Sequence, residues 1–343
     1  MIDMDTSSDK RIILHDVTLR DGNHALRHRE TRELVREYCE LADASGVDYV
    51  EVGHGNGIAA SSALVGFALE TDEVLLTTAR AALTRKKLAV HCMPGFATVD
   101  RDVRPAIEYG VDLFRIGSHV TEADTGAKHL AFVRESGREA VAVLMMSHMA
   151  SVERLVDECR KVESYGASSV VLMDSAGHFT PKDVKARISA IRDGVGIGVG
   201  FHAHNNLGVG IANALAALEA GATTLDGSSM ALGAGAGNAQ LECLVAVLAN
   251  EYPESDRGDL GPFLKMSALI QNRAPDHLPR TTSSSVVSAL AGVFSGYAPQ
   301  VQAVSEELNL EPGRLWRELG ARNVVAGQES IIREIARDLM DLS

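Results

Sequence analysis

The chain alternates short β-branched runs with longer amphipathic segments, and this alternation constrains its fold more than any other feature. Eight runs have the composition of strands; they are residues 11–19, 47–55, 87–95, 111–119, 140–148, 168–177, 199–204 and 223–230. Helical patterns fill the gaps between them, for example in residues 30–46, 151–166 and 209–222. Strands separated by such helices pair in parallel through right-handed crossovers. The sequence therefore predicts an α/β protein with a parallel sheet.

A short local repeat marks the ends of four predicted helices. In each copy a glycine is followed by a new apolar strand, as in SGVDYV, YGVDLF, YGASSV and AGATTL. These glycines are expected to cap their helices in the left-handed conformation; they are Gly46, Gly110, Gly166 and Gly221. Eight strand–helix units favour a (β/α)8 TIM barrel over residues 10–250, because the competing doubly wound sheet usually has fewer strands.

The pattern changes after about residue 255. A polar linker with proline and glycine, EYPESDRGDLG, precedes several helical segments that have no strands between them, one of which is residues 305–320. We therefore expect a smaller C-terminal helical region over residues 258–343.

Composition excludes several classes of protein. The formal charge of −13 argues against nucleic acid or an anionic membrane as a partner. The four cysteines form no CxxC pair, which argues against a disulfide framework or a cysteine zinc site and suits a reducing compartment. No run approaches the ~18 apolar residues of a membrane span, and the polar N-terminus does not resemble a signal peptide. The expected location is the cytoplasm.

Polar side chains collect where the predicted strands end, which is where a (β/α)8 barrel places its reacting groups. His202 and His204 alternate along one strand and so point to the same face. Asp21, after the first strand, could join them around a divalent ion. Two imidazoles and one carboxylate leave positions for water and substrate, which suits Mn²⁺ or Mg²⁺. The alternative is a structural or incidental histidine pair, since most isolated HxH sequences bind no metal.

Arg20 and His24 lie on either side of this aspartate. Beside a metal, the Arg20 guanidinium suits a carboxylate or a developing enolate oxygen, whereas alone it would simply pair with a carboxylate. His24, in the first loop, could act as a general base near neutral pH. Its alternative is an exposed loop histidine, like His28. No lysine lies in the interior of a predicted strand, so Schiff-base catalysis is not expected.

Seven segments together resemble the metal-dependent 4-hydroxy-2-oxovalerate aldolases, which belong to the barrel metallolyases related to hydroxymethylglutaryl-CoA lyase. They are DVTLRDGNHALRH, VEVGHGNG, FRIGSHVTEAD, LMMSHM, MDSAG, GFHAHNNLGVGIANALAALEAGAT and LGAGAGN. The presence of both a TLRDG motif and an HxHN motif in one chain is specific to the superfamily. HALRH, LMMSHM, GAGAGN and the C-terminal VVAGQESII indicate the aldolase branch. The resemblance covers about residues 10–340.

The resemblance implies retro-aldol cleavage of a 4-hydroxy-2-oxo acid, or the reverse addition of pyruvate or a similar 2-oxo acid to an aldehyde. Asp21, His202 and His204 match the metal ligands of the family, which usually hold Mn²⁺, with Mg²⁺ or Co²⁺ as alternatives. The metal would act as a Lewis acid on the 2-oxo acid.

The resemblance also assigns residues to the substrate. Arg20 matches the residue that stabilises the enolate, and His24 matches the proposed acid/base. Ser175 matches a substrate-binding serine, which spacing alone does not identify. Asp21 and His202 lie against the substrate as well.

The chain departs from the family where the aldehyde should bind. The family's GYAGVYSS segment, whose tyrosine closes over the C4 side of the substrate, is replaced by SALAGVFSG. Leu290 therefore stands at the tyrosine's place and Phe294 at a second one, while Asn23 replaces a common methionine. We expect Leu290 to contact the substrate, and the substrate to be an aldehyde other than acetaldehyde, or a 2-oxo acid other than pyruvate.

Close relatives work with an acylating aldehyde dehydrogenase, so residues 258–343 are expected to dock such a partner and to cover the active site. A homodimer or larger oligomer is also expected. One alternative function is a CoA-dependent Claisen-type synthase or acyl-CoA lyase of the same superfamily. Another is a weakly active docking subunit for the dehydrogenase, although a scaffold would need none of the polar residues retained here.

Overall fold

The computed structural model describes residues 11–255, 258–325, 328 and 330–341. Small parts of the predicted barrel start, the linker, the VVAGQESII segment and the end of the helical region lie outside the described residues. None of the described helices combines the length and the apolar character that a membrane span requires.

Eight parallel strands close into a barrel, and each strand pairs with the next one along the chain. They are β1 (Ile13–Asp16), β2 (Tyr49–Glu51), β3 (Lys87–Cys92), β4 (Leu113–His119), β5 (Glu139–Met145), β6 (Ser169–Asp174), β7 (Gly198–Ala203) and β8 (Thr224–Gly227). Pairing of β8 with β1, where Ile13 lies opposite Thr224, closes the barrel. The predicted (β/α)8 TIM barrel is confirmed, and each strand overlaps a predicted one.

Helices cover the outside of the barrel. They are α2 (Arg32–Asp43), α3 (Asp72–Ala82), α4 (Arg104–Glu108), α5 (Ala127–Glu135), α6 (Val152–Ser164), α7 (Pro181–Gly194), α8 (Gly210–Glu219) and α9 (Leu241–Glu251), whereas α1 (Gly22–Ala25) is a single turn in the loop after β1. Several begin at a hydroxyl side chain that accepts a bond from a free backbone N–H group, as Thr31, Thr71 and Ser151 do. Their apolar faces pack on the outward-facing strand residues to form the main core.

The interior of the barrel is apolar toward the amino ends of the strands and polar toward their carboxyl ends. The apolar layer is formed by Tyr49, Ala89, Leu113, Val141, Val143, Val171 and Met173. Because alternate strand residues face inward, the next inward positions on β2 and β4 are Glu51 and Arg115. Charged side chains thus lie directly below the mouth of the barrel.

The expected left-handed glycine caps are present at three of four positions. The φ angles are +91°, +100° and +106° at Gly110, Gly166 and Gly221. The expectation is wrong for Gly46, which has no positive φ. There α2 ends early, at Asp43, and the hydroxyl of Ser45 donates a 2.8 Å bond to the carbonyl of Ala42. The chain therefore leaves this helix through a serine turn.

In the described part of the chain after the barrel there are five α-helices: α10 (Gly261–Arg273), α11 (Ser283–Ala291), α12 (Ala298–Leu308), α13 (Pro312–Ala321) and α14 (Ser330–Asp341). α10 packs in the barrel's core, to which it contributes Phe263, Met266 and Ile270. The other four enclose a second core around Trp316. The residues of this second core all follow α10 in the chain. The strand–helix alternation of the sequence already stops near residue 255, before α10. The predicted helical segment 305–320 is two helices, because the chain turns at Asn309 (φ +51°) ahead of a proline.

Candidate metal centre

The three residues predicted to bind a metal converge at the carboxyl end of the barrel. Ligand atoms of Asp21, His202 and His204 lie within 4.8 Å of one another, and all three residues are buried. Nε2 of His202 and Nδ1 of His204 have no hydrogen-bond partner. Unpartnered buried nitrogens are costly, and two of them beside a carboxylate fit a bound divalent cation.

The orientation of His202 is set by Asp226 on β8. Nδ1 of His202 lies 2.8 Å from the Asp226 carboxylate. Although burial opposes it, the Arg115 guanidinium lowers the pKa of Asp226 to about 2. The ionised carboxylate therefore holds the proton on Nδ1 and leaves the Nε2 lone pair for a metal.

Asp21 is held by a short loop after β8. Its Oδ2 accepts hydrogen bonds from Nδ2 of Asn238 (2.9 Å) and from the backbone N–H of Ala234 (3.3 Å). A Cβ atom at Gly233 would lie 2.7 Å from the same oxygen, so the loop can approach only because this residue is glycine. Burial opposes ionisation, but the positive charge of Arg20 holds the pKa of Asp21 far below its usual range. The glycine-rich loop thus supports a predicted metal ligand, a role that its sequence did not reveal.

Arg20 has one free group for a substrate. Its Nε donates to Glu51 (2.5 Å), and its Nη1 donates to Oδ1 of Asp21 (2.7 Å) and to the Gly55 carbonyl (3.3 Å). Its Nη2 is buried without a partner. A guanidinium fixed on two sides with one free donor can bind an anionic oxygen without reorganising.

A buried ion network below the three predicted metal ligands was not predicted from the sequence. Arg115 donates to Glu51 (2.7 Å) and to Asp226 (2.6 Å), and Nε2 of His15 lies 2.7 Å from Glu51. The network connects the carboxylate that orients His202 with the carboxylate that holds Arg20. The available signal was a charged residue at an inward-facing position in each of three apolar strands.

His24 lies half-buried at the entrance to the centre. Burial lowers its pKa despite the nearby Asp21 carboxylate, so its imidazole is neutral near pH 7 and can accept a proton. A Cβ atom at Gly55 would come within 2.6 Å of the ring, which fits against this glycine. The ring of Phe294 lies 6.5 Å away.

His28, which we expected to be exposed, is only 7% exposed, so that expectation is wrong. Its ring stacks on that of His54 with the centroids 3.6 Å apart, and it packs on Gly66, where a Cβ atom would lie 2.8 Å from it. Burial lowers the pKa of His28 to about 3 and that of His54 to about 4. The two neutral rings form part of the wall behind His24.

The structure brings Ser175 to the barrel mouth and leaves Leu290 outside it. Ser175 directly follows β6 and is buried; its Oγ accepts a 2.9 Å bond from the backbone of Met146 and can still donate one. Leu290 lies on α11, whose buried face is formed by Ser285, Ser288 and Ala289. Its side chain is 69% exposed. Direct contact between Leu290 and the substrate therefore finds no support in this placement.

A cavity of about 810 Å³ leads to the centre between the barrel and the C-terminal helices. His24 and the loop 233–235 line its barrel side, and Phe294 and Ser295 line the opposite wall. Leu290 is not among the lining residues. The C-terminal helices thus help to enclose the approach to the metal ligands.

Asn206 joins the barrel to the C-terminal helices. Its Nδ2 donates to the Ser285 carbonyl (3.3 Å) and to Oγ of Ser288 (3.2 Å), and its Oδ1 accepts from Ser295 (3.1 Å). Two histidines in the loops after the barrel strands also hydrogen-bond to α11 and its C-terminal end: His148 to the Gly292 carbonyl and His178 to the Ala289 carbonyl. Asn206, the second of the two asparagines after the histidine pair, therefore positions the cover of the cavity, a role that the sequence did not indicate.

Comparisons with known proteins agree with this arrangement. The HMGL-like family model matches residues 11–270, and the DmpG-like communication domain matches residues 279–341. A 4-hydroxy-2-oxovalerate aldolase of Pectobacterium atrosepticum is 50% identical over 330 residues, which is 96% of each chain. One of Spirochaeta aurantia is 46% identical over 344 residues, 98% of each. The carboxyl transferase domain from Rhizobium etli pyruvate carboxylase has a TM-score of 0.81 at 18% identity, over 98% of this chain and 61% of that one. That likeness shows the fold alone.

Proposed function

We propose a mechanism from the premise that this chain belongs to the HMGL-like family and carries a DmpG-like communication domain. It is a 4-hydroxy-2-oxovalerate-type aldolase, a lyase that cleaves a 4-hydroxy-2-oxo acid into a 2-oxo acid and an aldehyde, or joins the two. The observation that carries the mechanism is the convergence of Asp21, His202 and His204, together with the free Nη2 of Arg20.

The three converging side chains would hold a divalent cation, which would supply Lewis acidity toward the 2-oxo acid. The set of two imidazoles and one carboxylate suits Mn²⁺, with Mg²⁺ or Co²⁺ as alternatives. Asp21 is ionised and His202 presents Nε2, so each ligand is already in its binding form.

Cleavage begins when neutral His24 removes the proton of the C4 hydroxyl. The C3–C4 bond then breaks, the electrons of the new alkoxide form the aldehyde carbonyl, and the bond electrons pass to the 2-oxo acid half as an enolate. Nη2 of Arg20 donates to the enolate oxygen, while Glu51 keeps the guanidinium in place. A proton returned to C3 gives the 2-oxo acid. Ser175 and His202 border the substrate.

The preferred aldehyde is proposed to be larger than acetaldehyde. The cavity of about 810 Å³ has room beyond a two-carbon aldehyde, and Phe294 offers an apolar ring near His24. Comparison of kcat/KM along a series of aliphatic and aromatic aldehydes tests this. A clear optimum at acetaldehyde would contradict it.

The communication domain is proposed to dock an acylating aldehyde dehydrogenase that receives the aldehyde. Its matched range, 279–341, includes both the cavity wall around Phe294 and the exposed Leu290. The aldehyde could therefore leave through a surface that the partner covers. We also propose that the aldolase chain itself forms a dimer or larger oligomer, which sedimentation of the purified protein would test.

The proposed reaction is tested by incubating the Mn²⁺-loaded protein with pyruvate and a panel of aldehydes and identifying the adducts by mass. Asp21→Ala and His204→Ala should lose both the stoichiometric Mn²⁺ and the adducts. Asp193→Ala, at an exposed site, should keep both. Release of CoA from an acyl-CoA would instead indicate a Claisen-type enzyme. Wild-type protein that binds Mn²⁺ but yields no adduct with any aldehyde would overturn the proposal.

A further inference from the structure

Arg27 has a strained backbone at the entrance to the candidate metal centre. Its φ angle is +52°, and that of the next residue, His28, is +59°. A left-handed conformation is costly for residues other than glycine and persists only where the surrounding structure enforces it, which is common at functional sites. Here the backbone N–H of His28 donates to the Asn23 carbonyl (2.8 Å), and its carbonyl accepts from Leu69 (2.8 Å). These bonds fix the turn that carries Arg27.

The turn places Arg27 beside His24, the residue proposed to act on the C4 hydroxyl. The backbone N–H of Arg27 donates to the His24 carbonyl (3.1 Å), and both residues line the cavity of about 810 Å³. Because the C4 hydroxyl oxygen becomes the aldehyde oxygen, Arg27 lies near the aldehyde half of the substrate. The 2-oxo acid half is assigned to the three predicted metal ligands and Arg20, so its carboxylate does not need Arg27.

Apart from histidines, the charged side chains that line this cavity are mostly positive, although the whole chain has a formal charge of −13. Among the described lining residues they are Arg27, Arg280 and Asp276. Neither arginine forms an ion pair or a side-chain hydrogen bond with any described residue. A guanidinium without a carboxylate partner in a cleft attracts anions and can bind a carboxylate through two N–H groups.

We propose that the aldehyde half of the substrate carries a terminal carboxylate, and that Arg27 binds this group. The excess of one positive charge in the lining suits a monoanion. A carboxylate joined to the aldehyde carbon by a short carbon chain would also use the room that acetaldehyde leaves in the cavity. This inference rests on the proposed aldolase function and names the chemical class of its larger aldehyde.

The test compares 4-oxobutanoate with 4-methylpentanal, which carries an isopropyl group of similar shape in place of the carboxylate. For each aldehyde, kcat/KM for adduct formation with pyruvate is measured on the full-length Mn²⁺-loaded protein. The wild-type protein should prefer 4-oxobutanoate about tenfold, since hydrogen bonds to a charged group are the strong ones. Arg27→Met keeps the apolar part of the side chain and loses the charge, so it should abolish or reverse this ratio without changing Mn²⁺ affinity.

Two further variants act as controls. Arg27→Lys keeps the positive charge and should keep part of the preference. Arg29→Met removes an exposed arginine that does not line the cavity and should leave the ratio unchanged. A wild-type protein with no preference or with a preference for 4-methylpentanal, or a preference for 4-oxobutanoate that survives in Arg27→Met, would overturn the inference. Failure of the aldolase function would appear separately, as the absence of adducts between pyruvate and any aldehyde.

Discussion

At the scale of single residues, Asp226 decides which nitrogen of His202 is free for a metal. In Asp226→Asn, the amide can donate to Nδ1, which moves the proton to Nε2 and removes the lone pair from the ligand position. We expect Mn²⁺ affinity to fall roughly 10–100-fold. Titration of the protein with Mn²⁺ measures this, with the exposed Asp193→Asn as the control. An affinity within twofold of wild type would show that Asp226 does not orient the ligand.

Glu51 neutralises two arginines that are both buried. Glu51→Gln removes its charge from Arg20 and Arg115, and breaking a buried ion pair costs about 3–5 kcal/mol of unfolding free energy. Glu139→Gln is the matched control, because its bridge to Lys87 is largely exposed; such pairs contribute about 0–1 kcal/mol. Urea denaturation of both variants measures the difference. Equal losses would contradict the structural distinction between the two carboxylates.

The site residues that could be predicted from the sequence are those whose positions follow from the predicted strands alone. The histidine pair lies at the end of β7 and Asp21 lies in the loop that follows β1, and the barrel brings these strand ends together. The partnership of Arg115 with Asp226 joins residues 111 positions apart, so it depends on the register of the closed sheet. Leu290 was identified by its place in a motif, but the motif does not say which face of α11 is buried. Only the packed helix decides that.

At the scale of elements, the left-handed glycines hold each helix to the strand that follows it. Gly166 has φ +100°, and the side chain of Arg134 on α5 crosses it so closely that a Cβ atom would lie 2.6 Å from Cδ. Gly166→Ala should therefore cost about 1–3 kcal/mol of unfolding free energy. Gly46→Ala should cost less, because no positive φ is required there. Thermal unfolding of the two variants tests this, and a larger loss for Gly46→Ala would contradict it.

The sequence predicted the elements well where a periodic apolar pattern runs between clear end signals. All eight strands lie at their expected places because the parallel barrel buries them on both sides, which makes them nearly continuous apolar runs. The four C-terminal helices were harder to delimit. α12 and α13 share one amphipathic pattern, and only the turn at Asn309 separates them. The sequence pattern of α10 resembles that of the four helices that follow it. Its apolar face nevertheless packs in the core of the barrel and not in the second core.

At the scale of the whole molecule, an exposed leucine marks the proposed dehydrogenase surface. Leu290 on the communication domain is 69% exposed, and Leu264 on α10 is 53% exposed. If the communication domain docks the dehydrogenase with Leu290 as an anchor, Leu290→Ser should weaken the complex about tenfold, since truncation of an anchor residue costs over about 1 kcal/mol. Leu264→Ser should have little effect. Calorimetric titration with an acylating aldehyde dehydrogenase measures both, and equal effects would argue against docking through this domain.

Buried titratable groups set the stability of the whole molecule below neutral pH. Burial lowers the pKa of five histidines to about 3 or 4; they are His28, His54, His91, His148 and His204. Among the described residues, burial raises the pKa of four carboxyls, to about 6 in Asp16 and Asp174, well above its usual value in Glu30, and above its usual value in Asp72.

The two groups act in opposite directions as the pH falls. For a histidine with a lowered pKa, the unfolded chain binds the proton first, so its contribution to stability is complete above pH 6.5 and is lost as the pH decreases. For a carboxyl with a raised pKa, the folded chain binds the proton first, and stability is gained below pH 6. Because the histidines outnumber the carboxyls, the free energy of unfolding should fall between pH 6.5 and 4.5. The slope is up to about 1.4 kcal/mol per pH unit for each excess proton. Urea titrations of chelator-treated protein across this range measure it, and a constant or increasing free energy would show that these histidines are not held neutral by burial.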